Sequence, residues 1–336
     1  MYCPSKVHLC IDTRMAFSSG VGTFIREVIP LFSKHFFRVT LLNNHLWSHP
    51  WEEIPFDAPI YSIQEQRLFS QKIPSCDWFW SPHYNVPFFP IRAKKRAVTI
   101  HDVCHIACGG WKQKLYAQIM MRKALKSDVV VTISEFSKKE TQAAFGEKQI
   151  HIIPIGVNPN VFKKRTGARE KYLIPKRYIL FVGSAKKHKN LIGLFHAFHQ
   201  LNMADVHLVL VGKDLPERGR NILSLQEVSN EDLAALYSEA EALVFPSLYE
   251  GFGLPPLEAM SCGCPTIVSN VASIPEVCGD ASFYFNPYEE KSLLHALRTV
   301  LSSPEIKKKL IERGFQRAQQ FRWEQTAKQY MELFLQ

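Results

Sequence analysis

No apolar run in the 336 residues approaches the roughly 18 needed to cross a bilayer, so a soluble or peripheral protein is expected. Residues 1–12 show no apolar stretch behind a basic patch, the pattern of a secretory leader, which points to the cytoplasm. The eight cysteines fall at irregular spacings, unlike the dense pattern of a small secreted scaffold, and fit a reducing compartment. A paired C-x-x-C is absent. His101, Cys104, His105 and Cys108 carry soft ligands and would share a face if helical. Without a second pair they, like Cys262 and Cys264, read as ordinary structural residues. No metal is expected. Neither a nucleic-acid motif nor an aromatic-studded basic stripe is present, and nucleic acid is set aside as a partner.

Apolar residues make up 46% of the chain, enough for sizeable cores, and the length suits about two domains. The formal charge of +10 is uneven. Residues 1–155 hold 19 Lys/Arg against 12 Asp/Glu, and the remainder 22 against 19. A basic excess suits anionic partners without choosing among phospholipid, nucleic acid and phosphorylated metabolites.

Residues 7–12 read as a buried strand, followed by a glycine turn over 18–23 and a helix to about residue 32. Strand, glycine turn and helix make a phosphate cradle. As a dinucleotide fingerprint it fails. Gly20-x-Gly22-x-x-Ile25 has no third glycine, and no acid ends the next strand at 39–42, which disfavours an NAD oxidoreductase. Residues 43–96 look irregular, with prolines and with Trp47, Trp51, Trp78, Trp80, Phe88 and Phe89 read mostly as packing. Residues 97–102 form a strand whose carboxyl end carries His101 and Asp102, where open α/β sheets place ligands.

An amphipathic helix is expected over 111–126, with Leu115, Tyr116, Ile119 and Met120 apolar. Lys112, Lys114, Arg122, Lys123 and Lys126 are basic, and Arg92, Lys94, Lys95 and Arg96 lie near in sequence. Such a face is either merely solvated or docks on an anionic membrane. A strand over 128–134 ends at Ser134, which caps the next helix. A Gly/Asn/Pro linker at 156–160 marks the domain boundary, giving domains 1–156 and 157–320 and a terminal helix within 321–336.

The second half restarts the pattern with a strand at 178–183, a turn at 184–190 and a helix over 191–201. Lys186, Lys187, His188 and Lys189 in that turn suit either a diphosphate clamp or a solubilised loop. Strands at 206–212, 242–246, 265–268 and 282–285 follow, with a helix over 231–238 and others from about residues 289 and 304.

The densest signal lies at 247–261, Ser-Leu-Tyr-Glu-Gly-Phe-Gly-Leu-Pro-Pro-Leu-Glu-Ala-Met-Ser. Pro255 and Pro256 suit the first turn of a helix, which has no N–H bonds to lose. A ligand at that helix mouth would meet the amides of Gly251, Phe252, Gly253 and Leu254. Glu250 and Glu258 bracket the turn, with Glu258 expected in the first helical turn and held ionised by the macrodipole. Carboxylates beside exposed amides suit a polyhydroxylated ligand.

This string resembles the E-x7-E motif of retaining glycosyltransferase family 4, and the resemblance covers nearly the whole chain. It implies an α/β protein of the GT-B class, two Rossmann-like doubly wound domains facing each other across a cleft, the first for acceptor and the second for donor, with the terminal helix of 321–336 crossing back to the first. By the same resemblance Glu250, His101 and Lys189 are catalytic. Gly20, Gly22, Gly183, Ser184, Lys187, His188, Lys189, Gly251, Phe252, Gly253, Leu254 and Glu258 bind the donor, and Gln226 and Val228 lie at the base. Ser184 stands where many members carry Arg, and His188 where close ones do. The implied reaction is metal-free hexosyl transfer from a nucleotide-diphosphate sugar to a glycan or lipid-linked glycan in surface polysaccharide or lipopolysaccharide synthesis. GDP-mannose is the first expected donor and a UDP-sugar the second. A sugar-nucleotide 2-epimerase and a non-catalytic sugar-nucleotide binder remain as alternatives.

Overall fold

The computed structural model describes residues 6–43, 47, 49–216, 218–219 and 221–336. It divides into two compact units, Met1–Gly156 with Trp323–Gln336, and Val157–Arg322.

The first unit is built on strands β1 (Val7–Asp12), β2 (Phe37–Asn43), β3 (Glu52–Pro55), β4 (Cys76–Ser81), β5 (Ala93–Ile100), β6 (Val129–Thr132) and β7 (His151–Ile152). They form a parallel sheet in the order β3-β2-β1-β4-β5-β6-β7. Helices α1 (Ser19–Val28), α2 (Ile63–Lys72), α3 (Cys104–Ala107), α4 (Trp111–Ala124) and α5 (Glu135–Phe145) connect them. A parallel sheet covered on both faces needs continuous apolar strands, and Leu9, Cys10 and Ile11 of β1 are fully buried accordingly. From β1 the chain runs outward to β2 and β3, then returns to β4 on the other side of β1. That reversal leaves a crevice at the carboxyl ends of β1 and β4.

The segment read as irregular, 43–96, contains β3, α2, β4 and the start of β5. β4 is Cys-Asp-Trp-Phe-Trp-Ser, buried at almost every position, so no period-two alternation advertises it. β5 starts at Ala93 and ends at Ile100, which places His101 and Asp102 just beyond it. The expected glycine turn is also revised. α1 already begins at Ser19, so Gly20 and Gly22 lie in its first turn rather than in a loop. The Gly22 N–H donates to the Ser18 carbonyl at 2.7 Å. A Cβ on Gly22 would stand 2.6 Å from the Ala16 carbonyl oxygen, so this glycine serves close packing of the helix on its entry loop.

The second unit holds β8 (Tyr178–Val182), β9 (His207–Val211), β10 (Arg218–Gly219), β11 (Ile222–Leu225), β12 (Ala242–Phe245), β13 (Thr266–Ser269) and β14 (Phe283–Phe285). Their order is β10-β11-β9-β8-β12-β13-β14, with only the β10–β11 pair antiparallel among the described residues. Its helices are α6 (Ala168–Lys171), α7 (Leu191–Leu201), α8 (Asn230–Glu239), α9 (Leu254–Ser261), α10 (Ile274–Cys278), α11 (Glu290–Ser302) and α12 (Pro304–Ala318). Ile179, Phe181, Leu194, Leu208, Leu210, Val244 and Leu297 share one core under α7 and α11. Here the reversal falls between β8 and β12.

The last helix, α13 (Trp323–Phe334), belongs to the first unit. Trp323, Ala327, Tyr330 and Phe334 recur at helical spacing and are buried. The Tyr330 ring lies 4.7 Å from Trp80, and its hydroxyl is 2.8 Å from Thr99 Oγ1.

Candidate active site

In the second unit the crevice between β8 and β12 gathers the two loops singled out by sequence. After β8 the chain turns through Gly183 into a short 3-10 stretch at Lys187–Lys189, then through left-handed Asn190 into α7. After β12 it runs through 246–253 into α9. The loops are tied to each other: the Leu248 N–H donates to the His188 carbonyl at 2.7 Å, and Lys189 Nζ lies 2.6 Å from Glu250 Oε1. The ammonium also sits 5.3 Å from the centre of the Phe245 ring. Both charged side chains are mostly buried, 16% and 14% exposed, so the pair is only partly screened by solvent. Ser184 and His188 are half-buried, whereas Lys186 and Lys187 stand in solvent.

The second loop is pinned from behind. Ser273, fully buried at the start of α10, donates its hydroxyl to the Glu250 and Phe252 carbonyls, each at 2.9 Å. The Ser269 hydroxyl donates to the Ser247 carbonyl at 2.5 Å. Gly253, at φ +107°, makes the left-handed N-cap of α9, with Leu254 first in the helix and the two prolines behind it. Gly251, Phe252 and Gly253 are buried, not exposed as the sequence suggested, while Leu254 is half-buried.

Glu258 also departs from expectation. It lies in the second turn of α9, not the first. Burial pushes its carboxyl up to about 7, and a hydrogen bond donated by the Tyr237 hydroxyl at 3.0 Å pulls it only partly back. Desolvation outweighs the macrodipole here. Gln226 is exposed and Val228 half-buried in the segment between β11 and α8. Ser273 and Tyr237 carry no signal in sequence. A serine ahead of Ile-Pro reads as a routine N-cap, yet its side chain makes no cap bond.

The crevice of the first unit is polar and closed. Arg14 grips Asp12 through two bonds, Nε to Oδ1 at 2.9 Å and a second nitrogen to Oδ2 at 2.7 Å, and reaches Glu65 at 2.9 Å. All three side chains are fully buried. Burial alone would raise the Asp12 carboxyl, but Arg14 and His83 outweigh it and hold it well below the usual carboxylate range. The Asn85 amide donates to both Glu65 oxygens at 2.9 Å, and the Tyr116 hydroxyl donates to Asn85 Oδ1 at 2.8 Å. Above the network Tyr61 stacks on Tyr84 and meets Tyr116 edge-on. Apart from Tyr116, read only as an apolar helix position, none of these residues was picked out by sequence, because the ion pairs join the end of β1 and its turn to Glu65 of α2, some fifty residues away.

His101 sits beside this crevice. Its Nε2 lies 2.9 Å from the Pro82 carbonyl, which can only accept, so that nitrogen carries the proton. Burial, with His83 nearby, lowers its pKa to about 4, only partly offset by the Pro82 bond. The ring is therefore neutral at physiological pH and Nδ1 is an acceptor. Ser137 explains the Ser-x-x-Ser string of α5: its N–H binds Ser134 Oγ, and its hydroxyl fixes the His101 carbonyl at 2.9 Å.

Comparison with known proteins follows this division. Residues 164–317, nearly the whole second unit, match the family described as Glycosyl transferases group 1. The chain is 32% identical over 268 residues to the O-antigen chain mannosyltransferase B of Escherichia coli, covering 72% of this chain and 70% of that one. It is 30% identical over 248 residues to the MMP alpha-(1->4)-mannosyltransferase of Mycolicibacterium hassiacum, covering 67% and 59%. Its fold is similar to that of sucrose-phosphate synthase from Thermosynechococcus elongatus, with a TM-score of 0.83, 19% identity and 98% of each chain covered. Two Rossmann-like parallel sheets of this kind are the GT-B class.

Proposed function

The chain belongs to the group 1 glycosyl transferases, and on that premise we propose that it transfers mannose from GDP-mannose to a glycan or lipid-linked glycan, with retention, in surface polysaccharide synthesis. The observation that carries the reading is the Lys189–Glu250 pair, held at the sheet reversal of the second unit. Transfer breaks the bond between the anomeric carbon and the diphosphate, forms one to an acceptor oxygen on the same face, and passes the acceptor proton to a diphosphate oxygen. The charge left on the diphosphate falls to Lys189 and Lys187, with the N-terminus of α9 adding its dipole. This reading calls on no metal. Glu250 orients Lys189 and accepts from sugar hydroxyls, and Glu258 takes a pair of hydroxyls from the nucleoside sugar. In the first unit the Tyr61, Tyr84 and Tyr116 platform suits the apolar face of an acceptor sugar, and neutral His101 offers Nδ1 to a hydroxyl.

The mannosyl activities named for the relatives support mannose over glucose. Nucleotide release is to be assayed over a panel of GDP- and UDP-sugars, with the product followed by NMR. Release from GDP-mannose alone is expected, and Lys189→Ala or Glu250→Ala should each lower the rate by about 10²–10³ while circular dichroism stays unchanged. Turnover of UDP-sugars only would rule out mannose from GDP-mannose. Epimerised sugar without acceptor would make the protein an epimerase, and binding without any turnover would make it a sensor.

Among the described residues no helix is long and apolar enough to cross a membrane. The basic, partly apolar face of α4 supports peripheral contact of this enzyme with an anionic membrane surface.

A further inference from the structure

We propose that the first unit carries a phosphate seat beside the carboxyl end of α4, and that it takes the headgroup of an anionic phospholipid. The proposal rests on the peripheral contact just described and gives it a specific site. A cavity of about 130 Å³ opens there, lined by Ser81, Arg96, Lys123, Lys126 and Ser127 together with the Phe79 side of β4. Three of those side chains are cationic, and no carboxylate lines the space. Among the described residues none of the three is in an ion pair; the acid nearest in sequence, Asp128, is exposed and accepts the Arg96 backbone N–H at 2.7 Å.

Ser81 supplies the second, independent observation. The residue ends β4 and is fully buried, yet its Oγ has no hydrogen-bond partner among the described residues. A buried hydroxyl of that kind is uncommon in a folded protein and marks a place where a polar ligand belongs. A serine hydroxyl lining one cavity with three cations is the chemistry of a phosphate site.

The surface around the cavity selects the source of the phosphate. Trp111, Leu115 and Ile119 recur every four residues along α4 and are 73%, 54% and 46% exposed. Phe88 and Phe89 are exposed as well, and Lys123, which lines the cavity, lies 5.2 Å over the Phe88 ring. Lys112, Lys114 and Arg122 flank the ridge, and residues 103–127 contain no Asp or Glu. An apolar ridge among cations matches a bilayer interface, where acyl chains meet phosphates. A free phosphate would need the cavity and not the ridge.

The test is flotation of the purified full chain with phosphatidylcholine vesicles, with and without phosphatidylglycerol. Flotation is expected only with phosphatidylglycerol. Lys123→Ala and Lys126→Ala should each weaken binding about fivefold. Ser81→Ala should weaken it further with an unchanged melting temperature. A charge-matched control, Lys138→Ala on α5, should change it less than about twofold, that residue lying outside the cavity. If the cavity variants float like the unaltered protein, or the control loses as much, the seat is wrong and the membrane contact survives. If the unaltered protein does not float with phosphatidylglycerol, the contact itself fails and the seat with it. A thermal shift with inorganic phosphate but no flotation would overturn the phospholipid assignment.

Discussion

Glu250 and Glu258 sit eight positions apart, and the fold treats their carboxyls differently. Glu250 has an ammonium 2.6 Å away, whereas Glu258 accepts from the Tyr237 hydroxyl. With its pKa near 7, Glu258 holds a proton more tightly in the folded protein than in the unfolded chain. The stabilisation from that proton is complete below the ordinary Glu range and is lost as pH rises through about 7. Ligand hydroxyls that donate to Glu258 need its ionised form. Donor affinity should therefore rise from about pH 6 to about pH 8 and then level off, with Glu258→Gln flattening the curve. Titration calorimetry against pH checks this, and a flat curve for the unaltered protein would exclude the role. The motif put Glu258 in α9 but one turn too early. Its proton affinity was not legible, because Tyr237 comes from a different helix and the burial is tertiary.

The loop before α9 carries two glycines and owes its shape to the neighbours that pin it. Ser273 holds two of its carbonyls, so Ser273→Ala would leave both without their buried partner. A fall of roughly 5- to 100-fold in kcat/KM for the donor is expected, with Ser273→Thr recovering part of it. Steady-state kinetics on the two variants decide the matter: an alanine variant with normal kcat/KM would mean the loop holds itself. Five strands of the second unit, β8, β9, β12, β13 and β14, were readable because each is a compact apolar run, whereas the short β10 and the half-buried β11 were not, and α7 was placed at 191–201. β3 and β4 were not readable. β3 is mostly exposed and polar, and β4 is buried on both faces with tryptophans that equally suit a loop. The glycines at 20 and 22 misled for a related reason. They look like a turn, but Gly22 is small to let α1 lie against the Ala16 carbonyl.

At the level of the whole molecule, α13 is as much a part of the first unit's core as β1. Tyr330 touches Trp80 and Phe24, and its hydroxyl meets the Thr99 oxygen to which Trp80 Nε1 donates at 3.0 Å. Tyr330→Ala removes a buried aromatic and should cost about 3–5 kcal/mol. The loss should be local. Hydrogen exchange is expected to quicken in β1, β4 and β5 while β8 to β14 keep their protection, whereas uniform quickening would mean the two units unfold as one.

That arrangement sets an order of events at the ribosome. Residues 7–12 emerge well before the rest of their sheet is complete, and the aromatic plug that seals it is made more than three hundred residues later. The second unit lies wholly in between and can close on itself first. The half synthesised earliest thus completes its folding last, and until then its tryptophan-lined strands need shelter from other nascent chains.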